Sequence, residues 1–446
     1  MTSPPAYAHP RPLLLDAGPE EIAQRLRDLP GLVWLDTAGH RPESDPGGGI
    51  SLITAAPRSI LKGNLSDPAP LEAALAELRA RAGTTADWGF PVSGLFGSIC
   101  YDGTYTFGVY DEVLIHRHAT GEWFATGLRL PRALAGPVLP LLPSSPPLCF
   151  SPEKTPSGYQ TMVKRALEYI AAGDIYQVNL AHRFSSPWPS HADPLSLALE
   201  LRATSPAPYA AYLNLDGQHT LSSSPESFLK MSGSYVRTRP IKGTRPRYLD
   251  SEMDERSAIE LIRSEKERAE LLMITDLLRN DLGQVCEYGS VRVTDLFKLE
   301  TYQQVFHLVS TIQGTLRPDI SHVAALRACF PGGSITGAPK KRAMEIIAEL
   351  EAADRGLYTG AIGYFGVNGE SQFSIAIRTI SIQQGLATFQ AGAGIVADSD
   401  PALEWLETLH KAAGILAACQ PSGLAGFPPV PPSQTGVPLF RQDEPV

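Results

Sequence analysis

The apolar residues in the second half of the chain change period repeatedly, and this limits the available folds more than any other feature. Tyr159, Met162, Val163, Ala166, Leu167 and Ile170 recur at helical spacing, and Gly173 follows as a stop. Asp174 to Leu180 then alternates, with Ile175, Gln177 and Asn179 on one face and Tyr176, Val178 and Leu180 on the other. Ser264, with Glu267 three residues on, opens another helix as a capping box. Val305 to Ile312 reads as a strand, and Asp400 and Pro401 open a last helix in the N-cap and N1 roles. Strands and helices mix without a clean βαβ alternation. The expectation is an α+β fold in which helices cover a mixed or antiparallel sheet.

The 446 residues suffice for one large domain or two ordinary ones. Two Pro-rich stretches divide them. Residues 131–156 read as a connector, and residues 421–446 as a tail with little periodicity that is expected to be disordered. Residues 1–130 mix short apolar runs with Gly turns, as in Gly94-Leu-Phe-Gly-Ser-Ile-Cys-Tyr101, and carry no chemical motif. The dense motifs all lie between Ser157 and Leu416, inside a region expected to span 157–418 as one domain.

The net charge of −9 argues against a nucleic-acid partner, but a local cationic site can still hold a small anion. Five Cys, an odd count without a CxxC pair, fit a reducing cytoplasm better than a disulfide framework. No apolar run approaches the ~20 residues needed to cross a bilayer, so no membrane association is expected. Leu13-Leu14-Leu15 is too short for the core of a signal peptide.

Several residues are able to carry chemistry. In Arg239-Pro-Ile-Lys-Gly-Thr-Arg245, Lys242 is either a partly desolvated nucleophile or a solvated turn lysine. Glu226, after Ser222-Ser-Ser-Pro, is either a general acid or base near a strand end or a solvated loop carboxylate. Glu404 and Glu407 share one face of the last helix, and Glu270 lies in an apolar helix. These three would suit Mg²⁺, although Glu407 could instead pair with Lys411 at i,i+4. Arg378, in the strand-like Ala376-Ile-Arg-Thr, could clamp a carboxylate in a fork. Ala391-Gly-Ala-Gly-Ile395 offers close backbone approach to an anion. Pro331-Gly-Gly-Ser-Ile-Thr-Gly-Ala-Pro339 is a Gly-rich turn entering a helix, but Ala338 stands where a P-loop needs Lys.

Taken in this order, the motifs resemble one family. Gly173-Asp-Ile-Tyr-Gln-Val-Asn-Leu180, Ser222 to Glu226, Arg239 to Arg245, Arg268-Ala-Glu270 with Asp276-Leu-Leu-Arg-Asn-Asp281, His307-Leu-Val-Ser-Thr311, Pro331 to Arg342 and Ala391 to Glu407 carry the likeness. The chain resembles the chorismate-utilising enzymes, a group holding anthranilate synthase component I, aminodeoxychorismate synthase component I and the isochorismate and salicylate synthases. The resemblance implies a large, mostly antiparallel β-sandwich core with flanking helices, to which both halves of the chain contribute. It implies Mg²⁺ held by Glu270 and Glu407 with Glu404 nearby. It also implies that Tyr358, Arg378 and the Gly392-Ala393-Gly394 backbone grip the enolpyruvyl carboxylate, that Thr244 and Gln177 also bind substrate, and that His307, near the ring, is catalytic together with Lys242 and with Glu226, which assists departure of the C4 hydroxyl.

Two positions separate the family's members. Isochorismate and salicylate synthases carry a water-activating Lys where this chain has Gln177, so the resemblance points to an ammonia user. Lys242, in Pro-Ile-Lys-Gly-Thr, matches the members that aminate chorismate at C4 on the way to 4-aminobenzoate and folate. The alternatives are amination at C2, as in anthranilate synthase, and a non-catalytic chorismate-binding subunit. No Cys sits in the Gly-x-Cys-x-Gly elbow of a class I glutaminase, so ammonia is expected from a separate glutaminase subunit. The nearest match to the Leu-Leu-Glu-Ser segment of tryptophan-inhibited relatives is Leu13-Leu-Leu-Asp16, which speaks against such inhibition. Some relatives hold a tryptophan through a segment resembling Pro208-Tyr209-Ala210, which leaves a structural tryptophan open here.

Overall fold

A computed structural model of the protein describes residues 9–38, 49–83, 88–136, 146–302 and 305–419. Part of the first Pro-rich stretch, and the tail from 421, lie outside the described residues.

Two antiparallel sheets form the core, one of twelve strands and one of ten among the described residues. Both draw strands from each half of the chain. In the larger sheet Val33–Asp36 pairs with Tyr209–Leu215. In the smaller, Gly94–Ile99 pairs with Ala361–Gly366. The sheets face each other through Val33, Leu52 and Leu213 on one side and Phe96, Ile362 and Tyr364 on the other, all buried in one cluster. Helices cover the outer faces. Pro194–Thr204 and Pro401–Cys419 pack on the larger sheet, where Phe184 and Phe389 stack at 4.7 Å. Ala69–Ala82, Glu265–Gly283 and His322–Cys329 pack on the smaller. The expected sandwich with flanking helices is the observed architecture. No described helix is long and apolar enough to cross a membrane.

Local signals place most elements. The helix Pro156–Ala171 starts at Thr155, whose hydroxyl accepts from Gly158 N. Ser264 caps Glu265–Gly283 by accepting from Glu267 N, and Asp400 caps Pro401–Cys419 by accepting from Ala402 N and Leu403 N. The alternating segment begins pairing only at Gln177 but then runs to Pro187, because ten successive residues find partners on Leu386–Ile395.

Arg378 departs from expectation. It is not inside a strand but between two, in a left-handed conformation with φ 49°. The physical reason is a change of sheet. The chain leaves the smaller sheet after Glu370–Ile375 and enters the larger at Thr379–Gln383. Pro225 and Glu226 make the same crossing in the opposite direction, between Gln218–Ser224 and Ser227–Ser232. The two crossings are bonded together. Ser223 N donates to Arg378 O, Ile375 N donates to Glu226 O, and Ser224 Oγ donates to Ile375 O at 2.6 Å.

Candidate active site

Pro225 and Glu226 from one crossing and Ile377 and Arg378 from the other line a cavity of about 600 Å³. Its wall brings together Glu226, Lys242, Thr244, Glu270, His307, Tyr358, Arg378, Gly392, Gly394 and Glu407. Three residues marked in the sequence do not line it. Gln177 is buried behind Gly394, Ala393 is buried in the cluster beneath, and Glu404 is buried one helical turn from Glu407.

Lys242 lies on Ile241–Pro246, the edge strand of the smaller sheet. The register slips between Lys242 and Thr244, which bulges the strand at Gly243. Gly243 has φ +72°, and a Cβ there would meet Leu261 Cδ1 at 2.6 Å, so glycine is required. The slip brings Thr244 level with His307, and Thr244 Oγ1 lies 3.0 Å from His307 Nδ1. Lys242 itself is half-buried, and its Nζ donates to Ser334 O at 3.4 Å. Of the two sequence readings, a partly desolvated lysine and a solvated turn lysine, the half-buried Lys242 fits the first, and its surroundings are polar, shared with a carbonyl and with Glu226.

Burial pushes the Glu226 carboxyl above the ordinary range, against the opposing pull of the Ser334 hydroxyl and the Lys242 ammonium. A shift in this direction makes the carboxyl a better candidate for giving a proton inside the cavity. His307 moves the other way. Burial first, and then the Arg378 charge, bring it down to about 3, so the imidazole is neutral at any ordinary pH. It can orient a partner by hydrogen bonding, but it does not supply a cation.

The remaining charges sit on two helices and on the crossing. Glu267 and Glu270 face the cavity from Glu265–Gly283, and Glu407 and Lys411 from Pro401–Cys419. Glu407 pairs with Lys411 at 2.7 Å, as the i,i+4 alternative anticipated, and Lys411 Nζ also donates to Gly392 O at 3.0 Å. Enclosure works against the Glu407 charge, but Lys411, with Lys266 and Lys242 behind it, outweighs this and holds the carboxyl low. Arg378 pairs with no carboxylate and donates no side-chain hydrogen bond among the described residues. A guanidinium without a protein partner in a cavity is free to pair with an anion.

Gly392 and Gly394 are needed for close approach. A Cβ at Gly392 would fall 2.5 Å from Leu180 O, and one at Gly394 2.7 Å from Gln177 Nε2 and 3.9 Å from Lys242 Nζ. Gln177 Nε2 and Lys242 Nζ thus both approach the space above Gly394. Both polar atoms of the Gln177 amide are buried without a partner.

Glu267, Lys266, Asn179, Ser334 and Lys411 also line the cavity, although the sequence does not mark them as site residues. Three of them have a local role that hides the wider one. Glu267 completes a capping box, Lys411 pairs with the carboxylate one turn before it, and Ser334 belongs to a tight turn.

The donor set fits a hard divalent cation. Burial raises Glu267, and the neighbouring charges of Glu270 and Glu407 raise it further, which is the mark of carboxylates crowded together. Glu404 keeps one buried oxygen without a partner, while the other accepts from Ser399 Oγ at 2.7 Å. No three acidic, His or Cys side chains are drawn up into a closed cage among the described residues.

A second cavity of about 390 Å³ lies between the sheets and is lined by Leu35, Asp36, Thr37, Arg117, Tyr209 and Tyr364, among others. Pro208, Tyr209 and Ala210 all reach it, whereas Leu13-Leu-Leu-Asp16 does not.

Residues 103–417 match the family described as chorismate binding enzyme. Over 265 residues, 59% of this chain and 52% of the relative, the sequence is 50% identical to anthranilate synthase component 1 of Streptomyces coelicolor. Over 263 residues, 59% of this chain and 56% of the relative, it is 48% identical to aminodeoxychorismate synthase component 1 of Bacillus subtilis. The chain spans about half the length of these curated relatives. The fold is similar to the crystal structure of anthranilate synthase component I from Streptococcus pneumoniae, with a TM-score of 0.74 at 30% identity over 84% of this chain and 93% of that one. It is also similar to the menaquinone-specific isochorismate synthase of Escherichia coli, with a TM-score of 0.75 over 92% and 94% of the two chains. At 19% identity that likeness concerns the fold alone.

Proposed function

The chain belongs to the family of chorismate-binding enzymes, and on that premise we propose that it aminates chorismate at C4, giving 4-amino-4-deoxychorismate with ammonia from a separate glutaminase subunit. One observation carries the reading: Lys242 Nζ and the buried Glu226 carboxyl meet in the cavity beside Ser334, and the Gln177 amide is buried next to Gly394, outside the cavity wall.

The Lys242 ammonium first gives a proton to solvent, and the amine so formed attacks C2 of the ring. The conjugated double bonds shift, the C4–O bond breaks, and Glu226 gives its proton to the departing hydroxyl, which leaves as water. Ammonia then forms the C4–N bond. The double bonds shift back, the C2–N bond to Lys242 breaks, and the excess proton returns to Glu226. The sum is chorismate plus ammonia giving aminodeoxychorismate plus water. Arg378 and Tyr358, with the Gly392 and Gly394 backbone, hold the enolpyruvyl carboxylate. Glu270 and Glu407, with Glu267 and Glu404 beside them, would hold Mg²⁺, which supplies positive charge for the ring carboxylate. Gln177 has no basic nitrogen with which to activate water, which favours ammonia as the nucleophile.

The test is product identity. The protein is incubated with chorismate, Mg²⁺ and ammonium, a lyase is added, and 4-aminobenzoate is the expected product. The second reading, C2 amination as in anthranilate synthase, is favoured by the 50% identity to that relative. Formation of 2-aminobenzoate alone would establish it in place of the first. Free ammonium should replace the glutaminase, with the rate rising toward high pH as more NH₃ is unprotonated.

A further inference from the structure

We propose that Asn179 is a further substrate-binding residue, whose amide nitrogen donates to the same carboxylate that Tyr358 and Arg378 hold. The proposal rests on the chorismate reading above and names one more contact within that site.

Asn179 lines the cavity, yet it is only 8% exposed. Its Nδ2 is buried and makes no well-formed hydrogen bond among the described residues. Its side chain interacts with the Tyr358 hydroxyl, which engages at most one of the two N–H groups. An amide nitrogen carries two donors and no acceptor, so the second N–H is left for a further oxygen. Directly across the ladder stands Gly394, so no cross-strand side chain covers the amide.

The backbone beneath is fixed. Asn179 N donates to Thr336 O at 2.8 Å, and Asn179 O accepts from Arg355 Nη2 at 2.7 Å. Arg355 is itself buried and pairs with Glu351 at 2.7 Å while also donating to Ile335 O and Thr359 Oγ1. The same guanidinium therefore braces the strand that presents Asn179, the turn that presents Ser334, and the segment that presents Tyr358. A donor held this firmly loses little freedom when it binds.

Asn179→Leu keeps the volume and removes the donor. Asn179→Asp keeps the shape and places a negative charge against the carboxylate. Steady-state kinetics of chorismate consumption, with Mg²⁺ and saturating ammonium, should show KM for chorismate raised about tenfold in the Leu variant with kcat nearly unchanged. The Asp variant, although the closer isostere, should be worse than Leu. Calorimetric titration of chorismate should give the same ranking. A merely structural Asn179 predicts the reverse ranking. An unchanged KM in Asn179→Leu, a loss confined to kcat, or an Asp variant that binds like wild type would each overturn the proposal. Should the Leu variant fail to fold, the Asp variant decides alone. A wild-type protein that neither binds nor consumes chorismate removes the underlying reading, whereas 2-aminobenzoate as product leaves the Asn179 contact standing.

Discussion

Glu226 and Lys242 are electrically coupled, and the coupling sets two expectations. Burial raises the Glu226 carboxyl, so its folded pKa lies above its unfolded one. Between the two values the folded protein holds a proton that the unfolded chain has released. Stability therefore falls as pH rises through that window and stays lower above it. Glu226→Gln removes the titration. Its melting temperature should exceed that of wild type at neutral pH and converge with it below about pH 4, near the unfolded carboxyl value. Activity should move the other way, with kcat about 10²–10⁴-fold lower. A thermal scan across pH, set beside kinetics, checks both signs at once. Lys242→Ala tests the covalent step. Chromatography of the lyase-coupled products should show 4-aminobenzoate lost or replaced by 2-aminobenzoate, and an unchanged yield would exclude Lys242 as the nucleophile.

At the scale of single elements, the bulged edge strand shows what a short stretch of chain does and does not announce. Gly243 sits at φ +72° with Leu261 and Glu267 packed against it. Gly243→Ala should cost about 1–2 kcal/mol through its backbone alone. It should also loosen Lys242 and Thr244 together. Urea denaturation and the chorismate KM should both shift, and a variant with native stability would mean that the bulge is not held in place. Features that depend on near neighbours are legible in the sequence. The Ser264 and Asp400 caps, the same-face placement of Gln177 with Asn179, and the position of Glu226 just beyond a strand are all written within a few residues. Features that depend on distant pairing are not. Ala376-Ile-Arg-Thr has the apolar texture of a strand, and only the partner strands on two different sheets show that Arg378 lies at a crossing. Glu267 and Lys411 each serve a near neighbour, and nothing close in the chain signals that both also face the cavity.

Across the whole molecule, the site depends on residues that never touch it. Tyr209–Leu215 is flanked on one side by Val33–Asp36, and Ala361–Gly366 by Gly94–Ile99. Val33, Leu52, Phe96 and Tyr110 also supply part of the core between the sheets. Removing the first 136 residues would therefore uncover two strand edges and one wall of the sandwich, although the cavity residues named above all lie after them. Exposed edges and an open apolar face favour aggregation over a native fold. Glu226 and Arg378 would be affected first, because both sit where the chain passes between the two sheets and are positioned only while the sheets stay packed. A fragment beginning at Pro146 should thus be insoluble, or should lack both a cooperative melting transition and chorismate binding by calorimetry. Co-expression with residues 1–136 should restore all three properties if non-covalent pairing suffices. A soluble, cooperatively melting fragment that binds chorismate unaided would show that the second half carries the site by itself, and that the strands it borrows from the first half serve only to close its edges.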